Sequence, residues 1–304
     1  MAREVASRLE PGVSVAEKLQ RGERSFSFEF FPPKDEAGAT QLWQAIRRLE
    51  ALHPTFVSVT YGAGGSNRGT VIDVTRRIGD QTTLTAMAHL TLVGHSRAEL
   101  RQLIGSYADA GVNHILALRG DPPGGPTAEW VAHPDGLTWA VELVELAKSL
   151  GGFTVGVAAF PNKHPQATDL DADARILADK ARAGADFAVT QLFFDADDYF
   201  ALVERLERLG VELPVVPGIM PVLNLRQVSR MAELSGVPLP AALLEGFEPL
   251  KDDPAAVRAR GIELASTLCR DLLDGGAPGL HFYTLNRSGA TREIFTNVVS
   301  RSST

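Results

Sequence analysis

A glutamate stands inside an aromatic run, Phe28-Glu29-Phe30-Phe31, and Pro32-Pro33-Lys34 then stops the run. Residues 25–31 read as a β-strand, in which successive side chains point to opposite faces. Ser25, Ser27, Glu29 and Phe31 share one face, while Phe26, Phe28 and Phe30 share the other and require a helix layer. Glu29 therefore faces away from that layer, close to the strand end. Apolar surroundings favour the proton-bearing form of a carboxyl group, as a proton donor working near neutral pH requires. The plainer reading is a glutamate that caps or pairs where the strand ends.

Other β-rich runs also end on groups that can do chemistry: Thr60-Tyr61-Gly62-Ala63-Gly64-Gly65-Ser66, His89-Leu90-Thr91, Arg119-Gly120-Asp121-Pro122-Pro123, Phe160-Pro161-Asn162-Lys163-His164-Pro165, Gln191-Leu192-Phe193-Phe194 and His281-Phe282-Tyr283-Thr284-Leu285-Asn286-Arg287. Each has a plain alternative. Arg119 and Asp121 could pair to hold a loop, His89 could be a hydrogen-bonded core histidine, and His164 could be a loop residue. Gly62–Ser66 could be a simple turn, because it lacks the spacing of a phosphate-cradling loop. The seven histidines are scattered without metal-ligand spacing, so no metal site is expected. No Gly-x-Ser-x-Gly elbow is present. Lys34, Lys163 and Lys180 fall in expected loops or helices rather than at a strand end, where a Schiff-base lysine would stand. The remaining set is a glutamate, an Asp–Arg pair and hydrogen-bonding side chains. It suits a cofactor enzyme in which the protein supplies protons and orientation.

Eight short β-rich runs carry these groups: 25–31, 55–61, 84–90, 114–119, 153–160, 187–193, 215–220 and 279–285. Helical patterns alternate with them, among them 38–52, 97–110, 137–150, 173–183 and 197–209. Eight βα units argue for a (β/α)8 TIM barrel of the α/β class, with active groups at the carboxyl ends of the strands. A doubly wound open sheet is the alternative, but neither Gly-x-Gly-x-x-Gly nor a Walker A motif follows the first run. The long gap between the seventh and eighth runs holds extra helices at 225–235 and 254–273, read as an insertion in the barrel. Residues 1–24 form a lead-in with a short helix at 15–20, and 25–304 a single catalytic barrel.

Net charge is −7 with no basic cluster, which argues against nucleic acid or an anionic membrane as partner. Residues 1–20 have no apolar segment of the signal-peptide kind, and no apolar run approaches the length of a membrane span. A cytoplasmic protein is expected. The single cysteine, Cys269, lies in an apolar helical stretch and reads as a core residue.

Taken together, Phe28–Lys34, Phe56–Ala63, Ala88–Thr91, Leu116–Pro123, Val189–Phe194 and His281–Arg287 resemble the methylenetetrahydrofolate reductases, in order and over nearly the whole chain. The resemblance implies reduction of 5,10-methylenetetrahydrofolate to 5-methyltetrahydrofolate, with FAD as cofactor and NADH or NADPH as reductant. It implies that Glu29 is the general acid opening the methylene bridge, and that Asp121 favours a cationic iminium. Gln191 would orient the pterin, Arg287 would reach the folate tail, and Tyr283 would line the substrate site. Thr60, His89, Arg119, Gly120, Asp121, Phe160, His164, Asp173 and Lys180 fall on flavin-contact positions. The implied partner is a small-molecule folate, with room for a homo-oligomer. Two departures stand out. Ile176 and Asp179 put an apolar and an acidic residue toward the flavin diphosphate, which would weaken FAD binding and leaves a deazaflavin or direct NAD(P)H donor as the alternative to FAD. Leu225 stands where an aromatic ring could stack on a ligand. Alternatives of another class are a flavin oxidoreductase barrel for a different substrate, and a binding protein on the same scaffold.

Overall fold

The computed structural model describes residues 13–60, 68–122, 124–125 and 128–299. Among the described residues nine parallel strands form one sheet: β1 (Ser25–Phe30), β2 (Phe56–Val59), β3 (Ala86–Thr91), β4 (His114–Leu118), β5 (Thr154–Ala159), β6 (Phe187–Thr190), β7 (Val215–Val216), β8 (Gly218–Ile219) and β9 (Gly279–Tyr283). Their order is β7-β6-β5-β4-β3-β2-β1-β9-β8. The expected seventh run is thus two strands, and the reason is Pro217, which has no N–H to give a ladder. Val215 and Val216 pair with β6, whereas Gly218 and Ile219 pair with β9. One segment therefore touches both ends of the sheet and closes the ring. The Pro217 carbonyl completes the seam by accepting from the His281 amide at 2.9 Å. The Gly218 amide donates to Thr190 Oγ1 at 2.8 Å. A Cβ on Gly218 would lie 2.3 Å from the Thr190 carbonyl, so only glycine fits this seam.

Alternation along the strands sorts the side chains into two cores. Phe28, Phe30, Val57, Val59, Ala88, Leu90, Ile115, Ala117, Val155 and Val157 point outward and pack against the helices. Phe56, Met87, Leu116, Phe187, Val189 and Val216 point inward and meet Val15 and Leu19 of α1 (Val15–Gln20). Most of these stand at or near the starts of their strands, so α1 plugs the amino end of the barrel. A capping box of Ser14 and Glu17 starts this short helix.

The outer helices are α2 (Glu36–Glu50), α3 (Arg68–Gln81), α4 (Arg97–Asp109), α5 (Ala140–Ser149), α6 (Leu170–Arg182), α7 (Ala196–Arg208), α8 (Leu225–Ser235), α9 (Ala241–Phe247), α10 (Pro254–Asp274) and α11 (Gly289–Val299). Helix α6 starts three residues before the expected point because Asp169, not Asp173, is its cap, accepting from the Ala172 amide at 2.7 Å. Asp173 thereby lies on the helix face rather than at its end. Helices α8 to α10 form the insertion between β8 and β9, around Val222, Val228, Phe247 and Val257. Cys269 is fully buried in the main core. Among the described residues no helix is long and apolar enough to cross a membrane.

Candidate active site

Glu29 lies at the carboxyl end of β1, only 6% exposed. Its backbone is clamped to β9: Thr284 Oγ1 donates to the Glu29 carbonyl at 2.6 Å. Its side chain enters the barrel as alternation predicts. The phenylalanines of its strand turn the other way, into the helix layer, so they are not what surrounds the carboxyl group. Two imidazoles are: His89 Nε2 stands 3.4 Å and His281 Nε2 3.5 Å from Glu29 Oε2. Burial pushes the His89 imidazole down to about 4, with Glu29 opposing and His281 reinforcing the shift. His89 is therefore neutral at neutral pH. Burial, helped by the Glu29 charge, raises the Tyr283 phenol well above its ordinary value. Tyr283 stays a phenol and donates to the Thr190 carbonyl at 2.6 Å.

The turn after β9 ties Arg287 to this chamber. Leu285 and Asn286 take left-handed backbone angles, φ 49° and 57°, a conformation that asparagine tolerates better than most residues. The Asn286 side chain then locks onto Phe31, accepting from its amide and donating to its carbonyl, each at 2.9 Å. The end of β1 and the turn carrying Arg287 are thus tied together. Arg287, Tyr283, Met220, Asn224 and Gln227 line a narrow cleft of about 30 Å³. Leu225 is not in its wall; it packs, partly buried, against the inserted helices' own core. Gln227 and Val228 of α8 reach the cleft, and Gln227 presents an amide there. Gln191, just past β6, is half-buried, and its side-chain oxygen accepts from the Leu192 amide at 2.8 Å.

A second set of groups gathers at the ends of β4 and β5. Arg119 donates to Gln166 Oε1 at 2.6 Å, and its guanidinium lies 4.7 Å over the Trp130 ring. Gln166, rather than Asp121, is its hydrogen-bond partner. Partial desolvation in the mouth lifts the Asp121 carboxyl above its ordinary value, against the pull of Arg119. Gly120 separates the two with φ 80°, and a Cβ there would lie 2.7 Å from Val93 and 2.9 Å from Thr91. Phe160 and His164 meet edge to face at 4.9 Å, and the His164 amide donates to Asp173 Oδ2 at 3.1 Å. Lys180 is buried and donates to the Ala158 carbonyl at 3.0 Å. Burial lowers it to about 8, with Asp173 opposing and Arg119 reinforcing the shift. Burial also lowers His164 to about 4, and the charges of Arg119, Lys180 and Lys163 lower it further. Burial raises Asp173. Here the cations Arg119, Lys163 and Lys180 gather around Asp173, with Asp121 at the mouth beside Arg119. Asp179 is not part of it: 62% exposed, it accepts from Arg182 at 3.0 Å on the outer face of α6. Ile176 is 44% exposed. Thr60 follows β2, half-buried, its amide bonded to the Phe30 carbonyl at 2.9 Å. Residues 61–66 and Pro123 of the quoted motifs lie outside the described residues.

The structure therefore brings Glu29, His89 and Tyr283 together in one chamber and Arg119, Phe160, His164, Asp173 and Lys180 in a neighbouring recess. Reading the chain alone missed Ser27 and His281 as neighbours of Glu29, and Gln227 and Asn286 around the cleft. For the first two a signal existed: Ser27 shares the face of Glu29, and His281 shares that of Tyr283.

Residues 14–299 match the family model described as methylenetetrahydrofolate reductase. The chain is 39% identical over 268 residues to the 5,10-methylenetetrahydrofolate reductase of Pectobacterium carotovorum subsp. carotovorum, with 88% of each chain covered. It is 38% identical over 269 residues to the Escherichia coli (strain K12) enzyme of the same name, again with 88% of each covered. It is 36% identical over 290 residues to methylenetetrahydrofolate reductase (NADH) 1 of Arabidopsis thaliana, covering 92% of this chain and 49% of that one. A solved structure, an uncharacterized protein from Clostridium thermocellum that binds two copies of 5-methyl-5,6,7,8-tetrahydrofolic acid, matches with a TM-score of 0.67 at 13% identity over 95% of this chain and 99% of that one. That likeness speaks for the barrel fold. The matched span, covering both the chamber of Glu29 and the recess of Lys180, makes this chain a member of the methylenetetrahydrofolate reductase family.

Proposed function

We propose that this protein reduces 5,10-methylenetetrahydrofolate to 5-methyltetrahydrofolate, with Glu29 as the general acid. The observation that carries this reading is a buried glutamate at a strand end, set between two imidazoles and bordering, through Tyr283, the cleft that holds Arg287. The methylene carbon of the substrate bridges two nitrogens and accepts hydride poorly. A proton from Glu29 to the aniline-like nitrogen opens the ring to an iminium, which accepts hydride well. Asp121, at the mouth, places a negative charge near that cation. Gln191 and Tyr283 orient the pterin, and Arg287 pairs with the acidic tail.

The recess suits the diphosphate of a flavin dinucleotide. Arg119 and Lys180 supply cationic donors, His164 and Phe160 a ring wall, and Asp179 stays on the outer helix face. FAD bound there would supply the hydride, replenished by NADH or NADPH. Thr60, His89 and Gly120 then border the flavin on the side of the chamber. The outward placement of Asp179 supports FAD against a repelling charge near the diphosphate.

The test is NAD(P)H oxidation by the purified protein with and without methylenetetrahydrofolate, together with its visible spectrum. A flavin band and folate-dependent turnover are expected. Turnover that ignores the folate would assign the barrel to another substrate, and a colourless but active protein would point to a deazaflavin or direct transfer.

A further inference from the structure

A groove outside the barrel takes no part in the proposed reaction. It runs between the start of α7 and the inserted helices α9 and α10, and holds about 620 Å³, within the range of small-molecule sites. Its walls are largely apolar: Phe193 and Phe194 follow β6, Phe200 comes from α7, and Leu264 and Leu268 come from α10. Gly246 of α9 lines it too, and a Cβ placed there would meet nothing within 4 Å. Met220 borders both this groove and the cleft of Arg287.

Acids outnumber bases along this groove. Asp195, Asp197 and Asp271 line it against one cation, Arg260, and Arg260 is committed to Glu263 at 2.7 Å. Arg270 does not line it and donates to Thr267 Oγ1 at 2.9 Å. Asp195 and Asp197 stand at the start of α7, where the helix dipole favours an acid, and Asp195 accepts from the Asp197 amide at 3.0 Å. Asp271 is placed differently. It lies in the last turn of α10, where the carbonyl ends already make the field negative. Among the described residues its carboxylate has no hydrogen-bond or ion-pair partner. We infer that the groove binds a small organic cation with an apolar body, the body against the phenylalanines and the ammonium at Asp271. A neutral ligand would leave Asp271 unpaired, and an anion would meet three carboxylates. The inference stands apart from the reaction proposed for the barrel.

Three probes that share one ring system test this: tryptamine, indole and indole-3-acetate, titrated into the whole protein labelled with ¹³C-methyl methionine. Tryptamine should move the Met220 methyl signal and leave that of Met87, buried inside the barrel, where it is. Tryptamine should bind about fivefold more tightly than indole, the scale of a solvated ion pair, and indole-3-acetate more weakly than both. Asp271→Asn should bring tryptamine and indole together in affinity, since the backbone bond from the Gly275 amide to the Asp271 carbonyl remains. Gly246→Phe, whose ring enters open space, should abolish the Met220 shift for every probe with the melting temperature held. A Met220 signal unmoved at about 10 mM tryptamine would overturn the inference. Equal affinity for the three probes would do so too. Binding that survives Gly246→Phe would put the probe in the cleft of Arg287 and overturn it as well. A dimer in sedimentation that Gly246→Phe splits would make a second copy of this chain the occupant, and the inference would fall.

Discussion

The chamber of Glu29 and the recess of Lys180 are both built from strand ends and both buried, yet they handle charge in opposite ways. Around Glu29 every titratable neighbour with a resolved shift is pushed toward its neutral form: His89 down to about 4 and Tyr283 well above its ordinary value. A proton can sit there without a fixed charge competing for it. In the recess Arg119, Lys163 and Lys180 stand together with Asp173, and Lys180 comes down only to about 8. Cations crowded so closely lack enough counter-charge until an anion arrives. On the proposed reading, the first region would hold a proton and the second a phosphate-bearing cofactor.

The contrast breaks most sharply at Glu29. Replacing Glu29 by Gln should cost about 10²- to 10⁴-fold in folate reduction while leaving flavin content and quinone turnover in place. Folate turnover near wild type in that variant would remove the acid from the chamber. The recess should give the reverse result. Lys180→Met should weaken flavin binding about 10- to 100-fold, as expected for a lost charge-assisted hydrogen bond, with the pH profile of folate reduction unmoved in flavin-saturated enzyme. Flavin titration followed by fluorescence quenching reads it. The wild-type affinity should itself fall as pH rises through about 8, where Lys180 gives up its charge.

A stability measurement separates the buried imidazoles from the cations. His89, His114 and His164 are all shifted from 6.5 to about 4 by burial. Between those values the unfolded chain binds more protons than the folded one, so stability present above pH 6.5 is lost as pH falls toward 4. Melting temperature should drop steadily over that window, and His114→Asn should flatten the drop. The smallest effect is expected at Asp179. Because its carboxylate faces solvent beside Arg182, Asp179→Ala should change flavin affinity less than about twofold, as exposed ion pairs contribute little. A large gain in affinity would mean that this acid reaches the diphosphate after all.

Much of this was legible in the chain. The period-2 pattern of Ser25–Phe31 placed Glu29 inside the barrel, and the βα rhythm placed the strand ends on one face. Helix α6 began early because any of three nearby aspartates, 169, 171 and 173, could have capped it. The cap was decided by which side chain reached the Ala172 amide. The face of Asp179 followed from the helix that resulted. The apolar setting assumed for Glu29 failed for a related reason: neighbours in sequence alternate outward, so they line the helix layer instead of the chamber.

By itself the sequence determined periodicity, and hence which side chains face inward, where strands end and which groups those ends carry. Ring closure decided the rest. Pro217, lacking an N–H, split one run into two and let it bridge β6 and β9. That closure brought β9 beside β1, so that Asn286 clamps Phe31 and His281, bonded to Ser27 across 254 residues of chain, stands under Glu29. Local pattern specifies the direction of a side chain. Its partner depends on which distant strand the closed barrel sets alongside, and that is a property of the whole fold.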